Sequence, residues 1–343
     1  MIAEKSVSPE VAASQQIFQI ATGYIPSTAL HAAVKLGIAD HLAAGPESVA
    51  VLAKKAGVNE DALYRVLRLL SGLGVFDEVS PRTFANSSAS AVLRRGVPGS
   101  IYPMALWMAD PFHLRVYADA MHSVETGRPA ADKTVGMPVF DYFRRDPELS
   151  EVFNDAMTAF SAFVVPAVLE AYDFGDIEVL VDVAGGHGHV LMSILQRYPK
   201  MRGLLVDLDH VIAGALPRIR EMGLIDRCET RVGDFFASVP AGGDAYIMKH
   251  IIHDWDDERA ITILRNIKQA MKPGGRVILL ESVLLPANQP DFGKLIDLEM
   301  LLMPGGRERT EEEFRVLFER AGYTLTRIVP TQSPLSVIEA RPV

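Results

Sequence analysis

Apolar and polar positions divide the chain into two parts with different periods. Over residues 10–75 the apolar residues recur at helical spacing. "STALHAAVKLGIADHLAAG" reads as a helix stopped at Gly45-Pro46, and "SVAVLAKKAGVNEDALYRVLRLLSGLGVFDEV" as helix, turn, helix. Asn59 is placed to cap the second of these helices, and Gly72 and Gly74 to end it. "VFDEVSPRTFANS" has the residues of a short hairpin, so a winged helix-turn-helix is expected here. Residues 100–175 read as helices rich in Met and aromatics. Met104, Met108, Met121, Met137 and Met157 suit either plain core or a deformable wall over a flat ligand.

From residue 178 the period changes. Apolar runs alternate with helix-length segments: "EVLVDVA", "GLLVDL", "CETRV", "DAYIMKH" and "RVILLESVL". Near-continuous apolar strands separated by helices predict a parallel sheet covered on both faces. The last two runs, "YTLTRIV" and "LSVIEARPV", follow one another without a helix, so an antiparallel pair at one edge is expected.

Composition narrows the partners. At 343 residues and 37.5 kDa the chain can hold two domains. A net charge of −9 and a pI near 5.5 argue against nucleic acid or an anionic membrane surface. The winged segment does not alter this: residues 1–100 are close to electroneutral, and the helix over 59–72 offers only Arg65 and Arg68 as cations. Packing and dimerisation suit that segment better than DNA. The N-terminus lacks a basic region followed by an apolar core, so no signal peptide is expected. No run approaches the roughly 18 uninterrupted apolar residues of a membrane span. The lone Cys228 excludes an internal disulfide and a cysteine-based metal cluster. A cytoplasmic chain is expected.

"LVDVAGGHGHVLMSILQRYP" reads as a strand, a glycine-rich turn and a helix. Gly185, Gly186 and Gly188 allow a ligand close to the backbone, and the helix that follows presents its positive end. Asp207 closes the next strand, where a carboxylate can bind a ribose diol. Dinucleotide and S-adenosylmethionine enzymes share this much. Two details separate them. A dinucleotide fingerprint starting at Gly186 needs glycine at position 191, which is Leu191. "GDFF" after the third strand supplies Asp234 and Phe235, a carboxylate and a ring suited to adenine, although capping and core roles also fit them. The balance favours S-adenosylmethionine over NAD.

"MKHIIHDWDDERA" places His250, His253, Asp254 and Trp255 just past a strand. In open α/β sheets, ligands sit at the carboxyl ends of strands where strand order reverses. The first and fourth strands should flank that crevice. Methyl transfer to oxygen is an in-line displacement, and a phenol of pKa about 10 needs a base at neutral pH. Imidazole suits the task when a carboxylate holds its far nitrogen. Glu281, ending the fifth strand, and Glu308, in a turn before a helix, are within reach of His253. His250 and His253 as metal ligands would lack a completing ligand set, so no metal is expected.

Six motifs in order, "VDVAGGHG", "LLVDLDHVI", "GDFF", "MKHIIHDWDDE", "RVILLESVLLP" and "GGRERTEEEF", make the chain resemble the small-molecule O-methyltransferases of the caffeic-acid and bacterial polyketide type. The resemblance implies an α/β fold: a Rossmann-like class I methyltransferase sheet with an N-terminal all-α winged-helix dimerisation domain. It implies a dimerisation domain over 10–98, then a helical connector and catalytic domain over 99–343, with the Rossmann core at about 176–343. It further implies S-adenosylmethionine at Gly185, Gly186, Gly188, Asp207, Asp234, Phe235, Lys249 and Ser161. His253 would be the general base, with Glu281 and Glu308 orienting it. Met157, Asp254, Met300 and Met303 would face the acceptor, a planar aromatic small molecule hydroxylated at the reacting position. A homodimer is implied. Ala184 departs from the family's first loop glycine, Asp209 stands where plant members have Pro, and His250 where they have Trp. Competing readings are a non-methylating hydroxylase or decarboxylase on the same scaffold, and a winged-helix DNA-binding regulator.

Overall fold

The computed structural model describes residues 8–343. Contacts divide the chain into two compact units, one ending at Arg115 and one running Val116–Val343.

The first unit holds α1 (Pro9–Ala21), α2 (Tyr24–Lys35), α3 (Ile38–His41), β1 (Glu47–Ser48), α4 (Val49–Ala56), α5 (Glu60–Gly72), β2 (Phe76–Ser80), β3 (Thr83–Asn86), α6 (Ser88–Ala91) and α7 (Tyr102–Met108). The Asn59 side chain accepts from the Ala62 amide at 2.9 Å, which caps α5. Strand β3 is central in a three-stranded antiparallel sheet ordered β1-β3-β2. The stretch read as one helix up to Gly45 is two: Gly37 takes φ 64°, a left-handed turn that ends α2 and starts α3. Leu52, Leu63, Leu67, Phe76 and Phe84 form the buried core. Helix α1 buries no residue, and Ile17, Phe18 and Ile20 stand exposed along it.

The boundary between units falls in α8 (Pro111–Ala118). Four helices follow: α9 (Ala120–Thr126), α10 (Ala130–Val135), α11 (Val139–Arg145) and α12 (Pro147–Ala171). The chain then alternates through β4 (Val179–Val183), α13 (His189–Arg197), β5 (Arg202–Asp207), α14 (Asp209–Glu221), β6 (Cys228–Val232), β7 (Ala245–Lys249), a 3-10 turn (Ile252–Asp254), α15 (Asp257–Ala270), β8 (Arg276–Glu281), α16 (Phe292–Leu302), α17 (Glu311–Ala321), β9 (Tyr323–Pro330) and β10 (Ser336–Pro342).

The seven strands lie in the order β6-β5-β4-β7-β8-β10-β9. The first five run parallel, and β10 pairs antiparallel with both β8 and β9, as the closing pair of the sequence implied. Apolar layers cover both faces. Leu191, Ile194 and Leu195 of α13 pack on one, and Ile263, Leu264 and Ile267 of α15 on the other. Strand order reverses between β4 and β7, so the carboxyl ends of these two strands open the crevice.

Helix α12 is, among the described residues, the one helix long and apolar enough to cross a membrane. Its polar residues have another use here: Asn154, Thr158 and Ser161 line a cavity beside that crevice.

Candidate active site

The loop after β4 wraps a buried carboxylate. A Cβ at Gly185 would stand 2.5 Å from the Asp182 carboxyl group and 2.5 Å from Leu205 Cδ1, so only glycine fits there without displacing them. Ala184 takes φ 56°, a conformation costing an L-residue roughly 1–2 kcal/mol, which is the local consequence of replacing glycine. The amides of Gly186 and Leu208 donate to the two oxygens of Asp207 at 2.8 and 2.7 Å. Each oxygen retains a free lone pair, so the carboxylate is fixed yet able to accept from a vicinal diol.

These groups open into a cavity of about 330 Å³, within the range of small-molecule sites. Its wall draws on α11 and α12 (Phe140, Phe153, Met157, Ser161), the glycine loop, Asp207, Asp234 with Phe235, and the segment from Lys249 to Trp255. The rings form a continuous lining. Phe140 lies 6.0 Å from Trp255, and Phe235 6.1 Å from the same ring. The Trp255 indole Nε1 and Asp182 Oδ2 are buried without a hydrogen-bond partner. Burial, with the charge of Asp207 added, pushes Asp182 up to about 7. Burial draws Lys249 down to about 8, against the pull of Glu281, Asp182 and Asp254. Burial also raises Asp207, opposed by its two amide donors.

His253 sits in the 3-10 turn past β7, only 5% exposed. Its Nδ1 is 2.6 Å from Glu308 Oε1 and 3.7 Å from Glu281 Oε2, and its Nε2 is 3.5 Å from Asp254 Oδ1. The turn is held from behind. Glu281 Oε1 accepts from the amides of Ile251 and Ile252 at 3.1 and 3.0 Å. The buried Arg309 guanidinium donates to the carbonyls of Ile252 and Trp255 and pairs with Asp257 at 2.8 Å. Gly306 presses on it so closely that a Cβ would lie 1.9 Å from the His253 carbonyl oxygen. Burial pushes Glu308 up to about 8, with Asp297 adding repulsion, and pushes Asp254 up to about 7 against the attraction of His253. Burial raises Glu281 as well.

The expected residues therefore fall into three groups. Gly185, Gly186, Asp207, Asp234, Phe235, Lys249 and Ser161 share one cavity wall with Met157 and Asp254. His253, Glu281 and Glu308 cluster next to that wall, with His253 Nε2 3.5 Å from the lining Asp254. Gly188, Met300 and Met303 lie off the wall. Gly188 starts α13 at φ 79°, and both methionines are buried, the Met300 carbonyl receiving the amides of Gly305 and Gly306. Asp182, Gly306 and Arg309 join these residues only in the folded structure. A single carboxylate inside an apolar strand was the available sign for Asp182. The other two carry no local signature.

His250, His253 and Glu281 bring possible ligand atoms within 4.8 Å of one another. The two imidazoles, however, are stacked, with centroids 4.4 Å apart and planes tilted by 26°. Glu281 nonetheless places a carboxylate beside the two rings, a third candidate ligand that spacing along the chain did not supply.

A family model described as the O-methyltransferase domain matches residues 117–324, and one described as the O-methyltransferase dimerisation domain matches 18–96. The phenazine O-methyltransferase PhzM of Lysobacter antibioticus is 42% identical over 340 residues, 99% of each chain. Among solved structures, LaPhzM superposes with a TM-score of 0.93 at 42% identity, covering 96% of this chain and 99% of that one. An O-methyltransferase from neocarzinostatin biosynthesis, NcsB1, bound to S-adenosyl-L-homocysteine and 1,4-dihydroxy-2-naphthoic acid, gives 0.79 at 30% identity, covering 93% and 96%.

Proposed function

The chain belongs to the S-adenosylmethionine-dependent O-methyltransferase family of bacterial secondary metabolism, and from that premise we propose that it methylates a hydroxyl of a planar aromatic metabolite with His253 as general base. The observation that carries this reading is the 2.6 Å contact between His253 Nδ1 and the buried Glu308, which leaves Nε2, 3.5 Å from Asp254 Oδ1, as the nitrogen to take the proton.

The site suits the cofactor. Asp207 has spare lone pairs for a ribose diol, the aromatic lining suits adenine, and the volume suits an adenosyl group. Gly185, Gly186, Asp234, Phe235, Lys249 and Ser161 complete the cradle. S-adenosylmethionine supplies an electrophilic methyl group at its sulfonium. The chain supplies alignment and a proton acceptor. Glu308 accepts from Nδ1–H and so fixes the tautomer in which Nε2 takes the hydroxyl proton. The imidazolium that forms is stabilised by Glu308, Glu281 and Asp254 around it, in a buried setting where such interactions are strong.

The relatives support the acceptor class. PhzM is named for a phenazine, and NcsB1 binds a dihydroxynaphthoic acid. We read the acceptor here as a fused hydroxyaromatic, with Met157 and Asp254 nearest to it and Met300 and Met303 behind. We read residues 10–98 as a winged-helix dimerisation domain and 99–343 as connector and catalytic domain. The exposed Ile17, Phe18 and Ile20 of α1 suit burial in a homodimer. Incubation with S-adenosylmethionine and a panel of hydroxylated and aminated fused aromatics tests the reading. S-adenosylhomocysteine and an O-methylated product are expected. Methylation of amines alone, or cofactor consumption by none of the panel, would contradict it.

A further inference from the structure

We propose that His250 is a positioning residue for the base: its ring, backed by Phe160, stacks on His253, fixes the plane of that imidazole and presents a π face to the imidazolium formed in the reaction. The inference rests on His253 being the base.

Three rings form a column. Phe160, from the middle of α12, stacks on His250 at 5.1 Å and 19°, and His250 stacks on His253 at 4.4 Å and 26°. The His250 backbone is held at φ 53°, a left-handed conformation that few side chains adopt freely. That conformation sets the ring between the other two instead of turning it toward a hydrogen-bond partner, and His250 Nε2 is buried with none. With its ring between those of Phe160 and His253, His250 acts on both neighbours through its faces.

The chemistry follows from charge. When His253 accepts a proton, the neighbouring ring presents its π face to a cation, an attractive arrangement that strengthens out of water. It is attractive only while His250 is neutral, since two imidazolium rings at this spacing would repel. Burial keeps His250 neutral, with His253 and Lys249 acting in the same sense. The charged groups facing His253 are Glu281 on β8, Asp254 in the turn itself and Glu308 before α17, while Lys249 on β7 acts on His250 and Arg309 on Glu281 and Glu308. Phe160 and His250 supply the column on its face.

The test compares His250→Asn, which tolerates the left-handed backbone but has no ring, with His250→Trp, which restores an aromatic face. His250→Asn is expected to lower kcat by about threefold to thirtyfold, the range a partly desolvated cation–π contact supports. It should also move the acid limb of the kcat/KM profile to lower pH, because the imidazolium has lost support. His250→Trp should return the limb toward its wild-type position. Circular dichroism and cofactor affinity confirm that each variant is folded. A limb that stays put or moves upward in His250→Asn overturns the inference. So does a divalent metal bound at one per chain whose removal by chelator abolishes turnover. His253→Ala is run in parallel. Normal turnover there means that the base assignment has failed, whereas a dead His253→Ala with an indifferent His250→Asn means that only the stacking inference has.

Discussion

Glu308 Oε1 lies 2.6 Å from His253 Nδ1, and both side chains are buried. The contact joins a turn at the end of β7 to a loop before α17, 55 residues apart. Glu308 cannot move aside easily, because its own amide donates to Asp297 at 2.9 Å and its neighbour Arg309 grips the turn. Substituting Glu308→Gln keeps the shape but leaves no carboxylate to balance the imidazolium when it forms, and it allows the wrong tautomer. Turnover is expected to fall about 10²-fold with cofactor affinity within a few-fold of wild type. Steady-state kinetics and calorimetric titration with S-adenosylhomocysteine check both halves.

Gly306→Ala probes the support behind that turn. The added methyl would meet backbone atoms of His253, Asp254 and Trp255 at 1.9 to 2.7 Å, and backbone cannot swing away as a side chain can. The turn must shift by an ångström or so. Activity is expected to drop by about 10² or more while the protein still folds, because misplacing a catalytic group on that scale is costly. Wild-type kcat in Gly306→Ala would show that the turn is not held as described.

Asp207→Ala addresses the cofactor. It removes the acceptor of the Gly186 and Leu208 amides together with the spare lone pairs of the carboxylate. Affinity for S-adenosylhomocysteine should weaken by about 30-fold or more, the scale of losing charge-assisted hydrogen bonds. Isothermal titration reads this directly, and an unchanged Kd would remove Asp207 from the cofactor site.

Asp182 makes stability depend on pH. Its folded-state value is raised to about 7 from an ordinary 3.8, so the stability linked to its protonation is full below about pH 4 and is lost as pH rises through 7. Asp254, also raised to about 7, and Glu308, raised to about 8, act in the same direction. The buried His250, held well below its ordinary value, and Lys249, drawn down to about 8, act oppositely below about pH 6.5 and above about pH 8, so the Tm of the cofactor-free protein should fall between about pH 6.5 and 8. In Asp182→Asn the fall should be smaller, as differential scanning calorimetry at several pH values would show. An equal fall in both proteins would place the dependence elsewhere.

What the sequence revealed and what it hid have physical causes. Strands β4, β5, β7 and β8 are buried on both faces, so they read as uninterrupted apolar runs, and the glycine loop and "HDW" segment sit where such strands end. The break at Gly37 was lost because the apolar period continues across it, and only the backbone angle marks the turn. Arg309 stands among charged residues in "GGRERTEEEF" and has no local sign of burial, yet it is nearly inaccessible and ties the turn together. The stack of Phe160 on His250 joins residues 90 positions apart, and no local period reports such a contact. Met300 and Met303 fit a pocket wall by composition. Burial alone places them, and it puts them behind the wall.

His253→Ala tests the central claim most directly, with methyl transfer and cofactor affinity measured on one preparation. The account predicts a loss of turnover of about 10² or more at a nearly unchanged Kd for S-adenosylmethionine. Turnover within threefold of wild type, at any pH where the wild-type enzyme is active, would contradict it.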